Sequence, residues 1–551
     1  MSRAIVGRIF WKELRTQRSL WICVTCLVIA VQTAATALSF YYYGHRLLNL
    51  EELIGGIFLA AYVGTTVYAI ASGAASFTEE IEGNTATLLR TVPVTRSEAF
   101  AGKWGYGLAS TGLLFLVLAL AAGVLSFAAW TAAQNPGAFE GLTTPRNTRF
   151  FTGNWSELFA LVWIWLMVPV VFFAFCSLFS LLMSDGLIAA LCGTFSTIFA
   201  LAWAGRFSPM GATPVLGVTL IAVALVATDF WLTGVWLRQG TFIRWRWTGN
   251  WPVEWVGERP WPTTRVAGPV ALLRIGEPAL AWRRAAQRLV WKEVRQAWPY
   301  VGVIILAATA TVTWSIINSA SRFVADLSPG IVGLLAPVAM GVGAYHVDQK
   351  NRAYRLLADR GLTPDGSWLA KHLVWIALAF AVSGYVLAID WTACEIAQWG
   401  ANGSRYFRQS LWERAAALDT PRPFAGWDRQ GSSVSASLGV VALYIALAYS
   451  IGQRLSFALA KGLSAFGLAM GTTVLACFTW AIFVAHRVPI SWTIGAIPPV
   501  LLGYTWTHTR RWQLQQLYSY RWVLVATWMA LPFAGIATAA VLYWPLLFRW
   551  N

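Results

Sequence analysis

The residues best placed to do chemistry are two short ionisable strings. Trp11-Lys12-Glu13-Leu14-Arg15 returns as Trp291-Lys292-Glu293-Val294-Arg295, an offset of 280 from Trp11 to Trp291. Each stands a few residues ahead of a long apolar stretch, so the chain reads as two copies of one membrane module, in parallel order. A separate acidic cluster, Glu79, Glu80 and Glu82, forms a negative patch on an otherwise basic face and is suited to pairing with Arg or Lys of a partner. Enzyme signatures are missing from the sequence. There is no His-Glu-x-x-His, no Asp-x-Asp and no Gly-x-Ser-x-Gly elbow. His45, His346, His372, His486 and His508 are scattered near the ends of apolar segments. Cys23 and Cys26 have a metal-like spacing, but both thiols would lie in hydrocarbon with no His nearby, so they read as small hydrophobes and no metal site is expected.

Ionisable groups inside apolar segments are few, Asp229 being the clearest, with Asp390 near an external end. Hydroxyls are commoner. Tyr62, Thr65 and Thr66 fall in the second apolar segment, while Gly193-Thr194 in the fifth recurs as Gly471-Thr472 in the eleventh. Ordinary helix packing accounts for such residues. If they line a path, its weak polarity fits an amphipathic or lipid-like cargo better than a small ion.

The elements that position these residues follow from composition. Hydrophobic residues make up 57% of the 551 positions and charged residues 12%, too little polar surface for a soluble chain of this length. A bilayer core about 30 Å thick takes roughly 20 apolar residues as a helix. Thirteen segments qualify, which predicts an all-α polytopic membrane protein of two pseudo-repeated bundles, each of about six spans, plus an extra C-terminal helix. The first half is expected over 1–237, a cytoplasmic linker over 238–277, the second half over 278–521 and the extra helix over 522–551. With the N-terminus inside the cell, 29 of the 41 Lys and Arg fall in cytoplasmic segments, as the positive-inside rule requires. Charge clustered between apolar spans also argues against nucleic acid as the partner of this +17 chain and for membrane lipids.

Two repeated elements sit on the cytoplasmic face. The first is an amphipathic interfacial helix, expected over 1–18 and 278–298, in which Ile5, Ile9, Phe10 and Leu14 correspond to Ala285, Leu289, Val290 and Val294. Arg8, Lys12 and Arg15 correspond in the same register to Arg288, Lys292 and Arg295. The second is a loop, 77–105 and 346–371, in which Leu88, Leu89 and Lys103 align at an offset of 268 with Leu356, Leu357 and Lys371. Both loops carry a Pro turn, and Ser97 and Asp365 are the expected N-caps of the helices that re-enter the membrane. In the second loop Val347, Asp348, Gln349 and Lys350 replace Glu79, Glu80, Ile81 and Glu82, so a shared partner would be gripped unequally. A long external loop, 393–436, carries Trp399, Tyr406, Trp412 and Trp427.

The run from Phe77 through Glu79, Glu80 and Glu82 to Leu88-Leu89-Arg90, Pro93, Arg96 and Lys103, together with Trp11-Lys12-Glu13, resembles the ABC-2 type permeases, the membrane subunits of ATP-binding-cassette exporters. The likeness covers the first half well and the second loosely. It implies six spans per half, an elbow helix before the first span, and a coupling helix between the second and third spans that sits on an ATPase. Under it, Glu79, Glu80, Glu82, Leu88, Leu89, Arg90 and Arg96, with Asp348, Arg355 and Leu356, would form the ATPase-coupling surface. No Walker A pattern occurs in the chain, so ATP and Mg would be bound by a separate ATPase, expected as a dimer beneath fused halves that replace a permease homodimer. The expected location is the cell membrane. The rival readings are a membrane-embedded enzyme acting on a lipid or glycan, and a membrane assembly protein that moves nothing.

Overall fold

The computed structural model describes residues 3–43, 50–82, 94–133, 155–206, 214–239, 278–317, 322–350, 364–400, 432–459, 462–485, 495 and 497–513. Every regular element among them is an α-helix. In the first half these are α1 (Arg3–Tyr43), α2 (Leu50–Glu82), α3 (Arg96–Ala133), α4 (Trp155–Leu182), α5 (Gly186–Arg206) and α6 (Pro214–Gln239). The second half contributes α7 (Pro278–Ile317), α8 (Arg322–Lys350), α9 (Pro364–Gly400), α10 (Ser432–Ala458), α11 (Gly462–Ala485) and α12 (Ile497–Gln513). Seven described helical stretches are long and apolar enough to cross a membrane, from Leu53–Glu80 to Gly439–Ala458, and the bent pair in α1 adds an eighth. The chain is an all-α, multi-pass membrane protein. Much of its outer surface is apolar, with Leu120, Val124 and Leu306 each about 70% exposed, as lipid-facing side chains should be.

The packing repeats as the sequence does. α2 packs on α4 as α8 packs on α10; α1 on α3 as α7 on α9; α4 on α6 as α10 on α12. Between halves the relation is reciprocal: α11 lies against α1 and α2, α5 lies against α7 and α8, and α5 touches α11. Leu187, Leu191 and Phe195 of α5 accordingly belong to the core of the second half, while Leu463 of α11 joins Ala74, Cys176 and Ala190 of the first. α5 also packs on α4 and α11 on α10, so one helix from each half bridges the two bundles.

Glycines set how closely these helices cross. Gly73 on α2 faces the Phe173 carbonyl on α4, and Gly341, 268 positions later, faces the Tyr449 carbonyl on α10, each leaving no room for a Cβ. Backbone approach of this kind is how membrane helices gain packing energy without a hydrophobic driving force between them. A second pair closes one end of the molecule. A Cβ on Gly186, the first residue of α5, would lie 3.0 Å from Thr78 Oγ1 of α2 and 2.7 Å from Leu463 Cδ1, and one on Gly462, the first residue of α11, would lie 2.6 Å from the His346 ring of α8. The ends of α2 and α8 therefore lie at the same end of the bundle.

Several expectations are refined by the fold. The interfacial helix is not detached: α1 runs unbroken from Arg3, with its segments Ile5–Arg18 and Leu20–Thr33 at 47°, and α7 runs through Pro299. The apolar arc expected to face lipid divides, since Ile9 turns into the protein while Phe10 and Leu14 stay more than a third exposed. The N-cap of α3 is Thr95, not Ser97. Its hydroxyl accepts from Glu98 N at 3.3 Å while Glu98 Oε2 accepts from Thr95 N at 3.0 Å, a reciprocal capping box. Asp365 lies inside the first turn of α9, where it accepts a hydrogen bond from Trp506 Nε1 at 2.7 Å. α9 extends to Gly400 and α10 starts at Ser432, which shortens the long loop expected over 393–436 at both ends. The rest of that loop, the linker from 240 and the C-terminal segment 514–551 lie outside the described residues, as does Ala285's side chain.

Candidate functional site

One stripe of α1, Ile9, Glu13, Gln17, Leu20 and Val24, is buried at helical spacing, and a carboxylate stands in the middle of it. α7 repeats the arrangement with Leu289, Glu293, Ala297 and Tyr300. A buried carboxylate needs a cation. It receives one from the start of the third helix of its own half.

In the first half, Lys103 Nζ of α3 lies 2.5 Å from Glu13 Oε1 and 3.0 Å from Glu80 Oε1, and it also donates to the Ser76 carbonyl. All three ammonium protons thus have acceptors. Lys12 pairs with the other oxygen of Glu80. Gln17 donates to Glu13 Oε2 at 3.2 Å and accepts from Ser72 of α2 at 2.9 Å. In the second half, Lys371 Nζ of α9 lies 2.6 Å from Asp348 Oδ2 and 3.1 Å from Glu293 Oε2, and Lys292 pairs with Asp348 Oδ1 at 2.7 Å. Gln296 donates to Asp348 Oδ1 at 3.1 Å and Trp375 Nε1 donates to Glu293 Oε2 at 2.9 Å. Even the ring beside the ammonium recurs: Lys103 lies 5.3 Å from the Phe77 centroid and Lys371 5.5 Å from that of Tyr345, at the same offset of 268.

Each cluster joins three helices: the first helix of its half, the end of the second and the beginning of the third. The named groups carry two positive and two negative charges, so each cluster is balanced. Bringing any one of these ions into the interior alone would cost several kcal/mol, and only the combined pairing and hydrogen bonding offsets that. Asp348 lies beyond the apolar part of α8. Burial would raise its carboxyl, but the ammonium groups of Lys371 and Lys292 outweigh it and hold the group below the usual carboxylate range.

The expected site residues distribute as follows. Trp11, Arg15, Trp291 and Arg295 point outward on the first helices, while Lys12, Glu13, Lys292 and Glu293 turn into the clusters. Glu80 and Asp348, expected on an outward coupling surface, are buried and engaged within the protein. Glu79 is half-buried, and exposed Arg96 stacks over Phe230 of α6 at 4.2 Å. Glu82 ends α2 with its side chain outside the described residues, which also exclude Leu88, Leu89, Arg90, Arg355 and Leu356.

The hydroxyl residues of α2 bond within their own helix. Thr65 and Thr66 donate to the Ala61 and Tyr62 carbonyls of their own helix at 2.9 Å, and the Tyr62 ring packs 4.9 Å from Trp165. Gly193 faces Cys176 of its own half whereas Gly471 faces Leu27 of the other, so the two Gly-Thr pairs are not equivalent in space. Thr194 and Thr472 are both buried. The spatial register of α5 and α11 is 276, from Gly186 to Gly462, rather than the 278 that relates the Gly-Thr pairs.

Two features escaped the sequence reading. Trp236 and Trp512, also 276 apart, pack edge-to-face on Phe77 and Tyr345 and buttress the rings beside the two lysines. His372 is buried between two phenols, with Nδ1 2.8 Å from Tyr449 OH and Nε2 3.2 Å from Tyr345 OH. Where the second half has this polar trio, the first has Trp104, Phe173 and Phe77. Asp229, the clearest ionisable group within an apolar segment of the sequence, is fully buried in the first half beside Ser177 and the Trp104 indole. Among the described residues no group of His, Cys, Asp and Glu could hold a metal ion. No family model, curated protein or solved structure matches the chain.

Proposed function

We propose that the chain is the membrane permease of an ATP-binding-cassette exporter, two permease halves in one polypeptide, driven by an ATPase on another chain. The observation that carries the reading is the pair of charge clusters, one per half, at the same end of the molecule. In each, the first helix is fastened to both ends of the segment joining the second helix to the third. A push on the segment that begins after Glu82 or after Lys350 would reach α1 and α3, or α7 and α9, as one displacement, because a buried ion network resists being pulled apart in a low dielectric. The reciprocal contacts of α5 and α11 with the opposite half would then turn two such pushes into movement of the halves about their common axis.

In this reading Glu80 and Asp348 transmit force rather than meet the ATPase. That surface belongs to the segments 83–93 and 351–363, with Glu79 and Arg96 beside the first. The cargo inferred from the weakly polar interior is amphipathic or lipid-like, and the N-terminus is cytoplasmic. Affinity purification in mild detergent should recover an ATPase, and co-reconstitution should give ATP-dependent release of a lipid-like substrate. Loss of that release with the ATPase still bound in K103M or K371M would support force transmission through the clusters. Repeated failure to recover any ATPase would count against the whole reading.

A further inference from the structure

The helices that turn Lys-Glu inward turn a different set outward. On α1, Arg8, Arg15 and Arg18 are exposed and Trp11 is 66% exposed; on α7, Arg288 and Arg295 are exposed and Trp291 is 67% exposed. Arg8, Trp11 and Arg15 are spaced i, i+3, i+7, which places them on one side of a helix with the Cα atoms of the two arginines about 10.5 Å apart along the axis. Arg288, Trp291 and Arg295 repeat that spacing. The only carboxylate in residues 3–19 is Glu13 and the only one in 278–298 is Glu293, and both are buried against lysine. What these two helices themselves turn outward is cationic and aromatic.

From this we infer that the outward faces of α1 and α7 are twin binding strips for anionic phospholipid headgroups, the arginines engaging phosphates and the indoles lying at the headgroup boundary. Charge selects the occupant: the outward side chains of these helices include guanidinium groups and no carboxylate of their own, which favours anions, and Arg forms two-pronged bonds to phosphate. Apolar side chains select a lipid over a soluble acidic protein. Phe10 and Leu14 on α1 and Trp298 on α7 are exposed beside the arginines, and each helix continues directly into an apolar run, so the strip must lie where a bilayer begins. The inference stands apart from the permease reading.

The test uses the purified full chain in detergent with equimolar phosphatidylglycerol and phosphatidylcholine, retained lipid being counted by native mass spectrometry. Wild-type protein should retain phosphatidylglycerol preferentially, and the preference should fall as salt rises. R8Q/R15Q and R288Q/R295Q should each weaken it, on the order of fivefold per arginine removed, and the combined variant should abolish it. R8K/R15K, which keeps the charge, should retain most of it. Arg8 and Arg15 are exposed, so the thermal unfolding of R8Q/R15Q should match wild type. Equal retention of the two lipids by wild-type protein, or an unchanged preference in the fourfold variant, overturns the inference. Wild-type selectivity and its salt dependence decide the matter even if a variant fails to fold.

Discussion

Lys371 Nζ sits 2.6 Å from Asp348 Oδ2, with both groups shut off from solvent, and Lys103 and Glu80 hold the same relationship 268 positions earlier at 3.0 Å. A buried ion pair kept at equivalent places in both halves constrains what substitutions there can do.

Removing one partner should be worse than removing all. Lys103→Met leaves Glu13 and Glu80 buried without their shared cation and should cost about 3–5 kcal/mol, lowering the thermal midpoint in detergent. The triple variant E13Q/E80Q/K103M removes the stranded charges and should recover much of that loss. A triple variant less stable than K103M would show that the cluster is not held by mutual charge compensation. The same comparison in E293Q/D348N/K371M should give the same order.

Acid should weaken the second cluster. The Asp348 carboxyl is held below its ordinary value, so its contribution is complete above the unfolded pKa of about 3.9 and is lost as pH falls through the lower folded value. Unfolding midpoints of wild type and D348N should differ most near neutrality and converge below about pH 4. A gap that widens on acidification would contradict the sign of this shift.

Gly73 and Gly341 should be intolerant of a methyl group to a similar degree. Gly73→Ala pushes on the Phe173 carbonyl and Gly341→Ala on the Tyr449 carbonyl, backbone atoms that cannot swing aside. Each should destabilise by about 1–3 kcal/mol in chemical or thermal unfolding, while Gly105→Ala, whose Cβ would meet open space, should be neutral or better.

The halves should cross-link through their bridging helices. With the native cysteines replaced, G186C/L463C should form a disulfide that holds the two fragments together after cleavage at a protease site placed in 240–277. Fragments that separate on a non-reducing gel would sink the α5–α11 contact.

Thr95→Ala should cost about 1 kcal/mol of stability and raise hydrogen exchange in the first turn of α3, because it removes the cap. Ser97→Ala should do little by comparison.

Much of the fold was legible because lipid imposes a simple rule on sequence. Apolar length marked the helices, and Trp11-Lys12-Glu13 against Trp291-Lys292-Glu293 marked the duplication before any coordinate. Boundaries were less certain: α9 continues to Gly400, past position 393 where the long loop was expected to begin, since hydropathy senses the bilayer and not the turns that project beyond it. The capping box was visible as Thr95-x-x-Glu98, yet Ser97 drew attention by its nearness to the apolar run.

The sequence alone determined that charge would recur at matched places, with Lys12, Glu13, Glu80 and Lys103 returning as Lys292, Glu293, Asp348 and Lys371. Which way those side chains face was decided by tertiary structure. A carboxylate on a basic loop reads as a solvent-facing contact until a lysine 23 positions away, on another helix, is folded onto it. Pairing at that distance depends on how three helices converge, and local sequence patterns carry no information about the depth at which they meet.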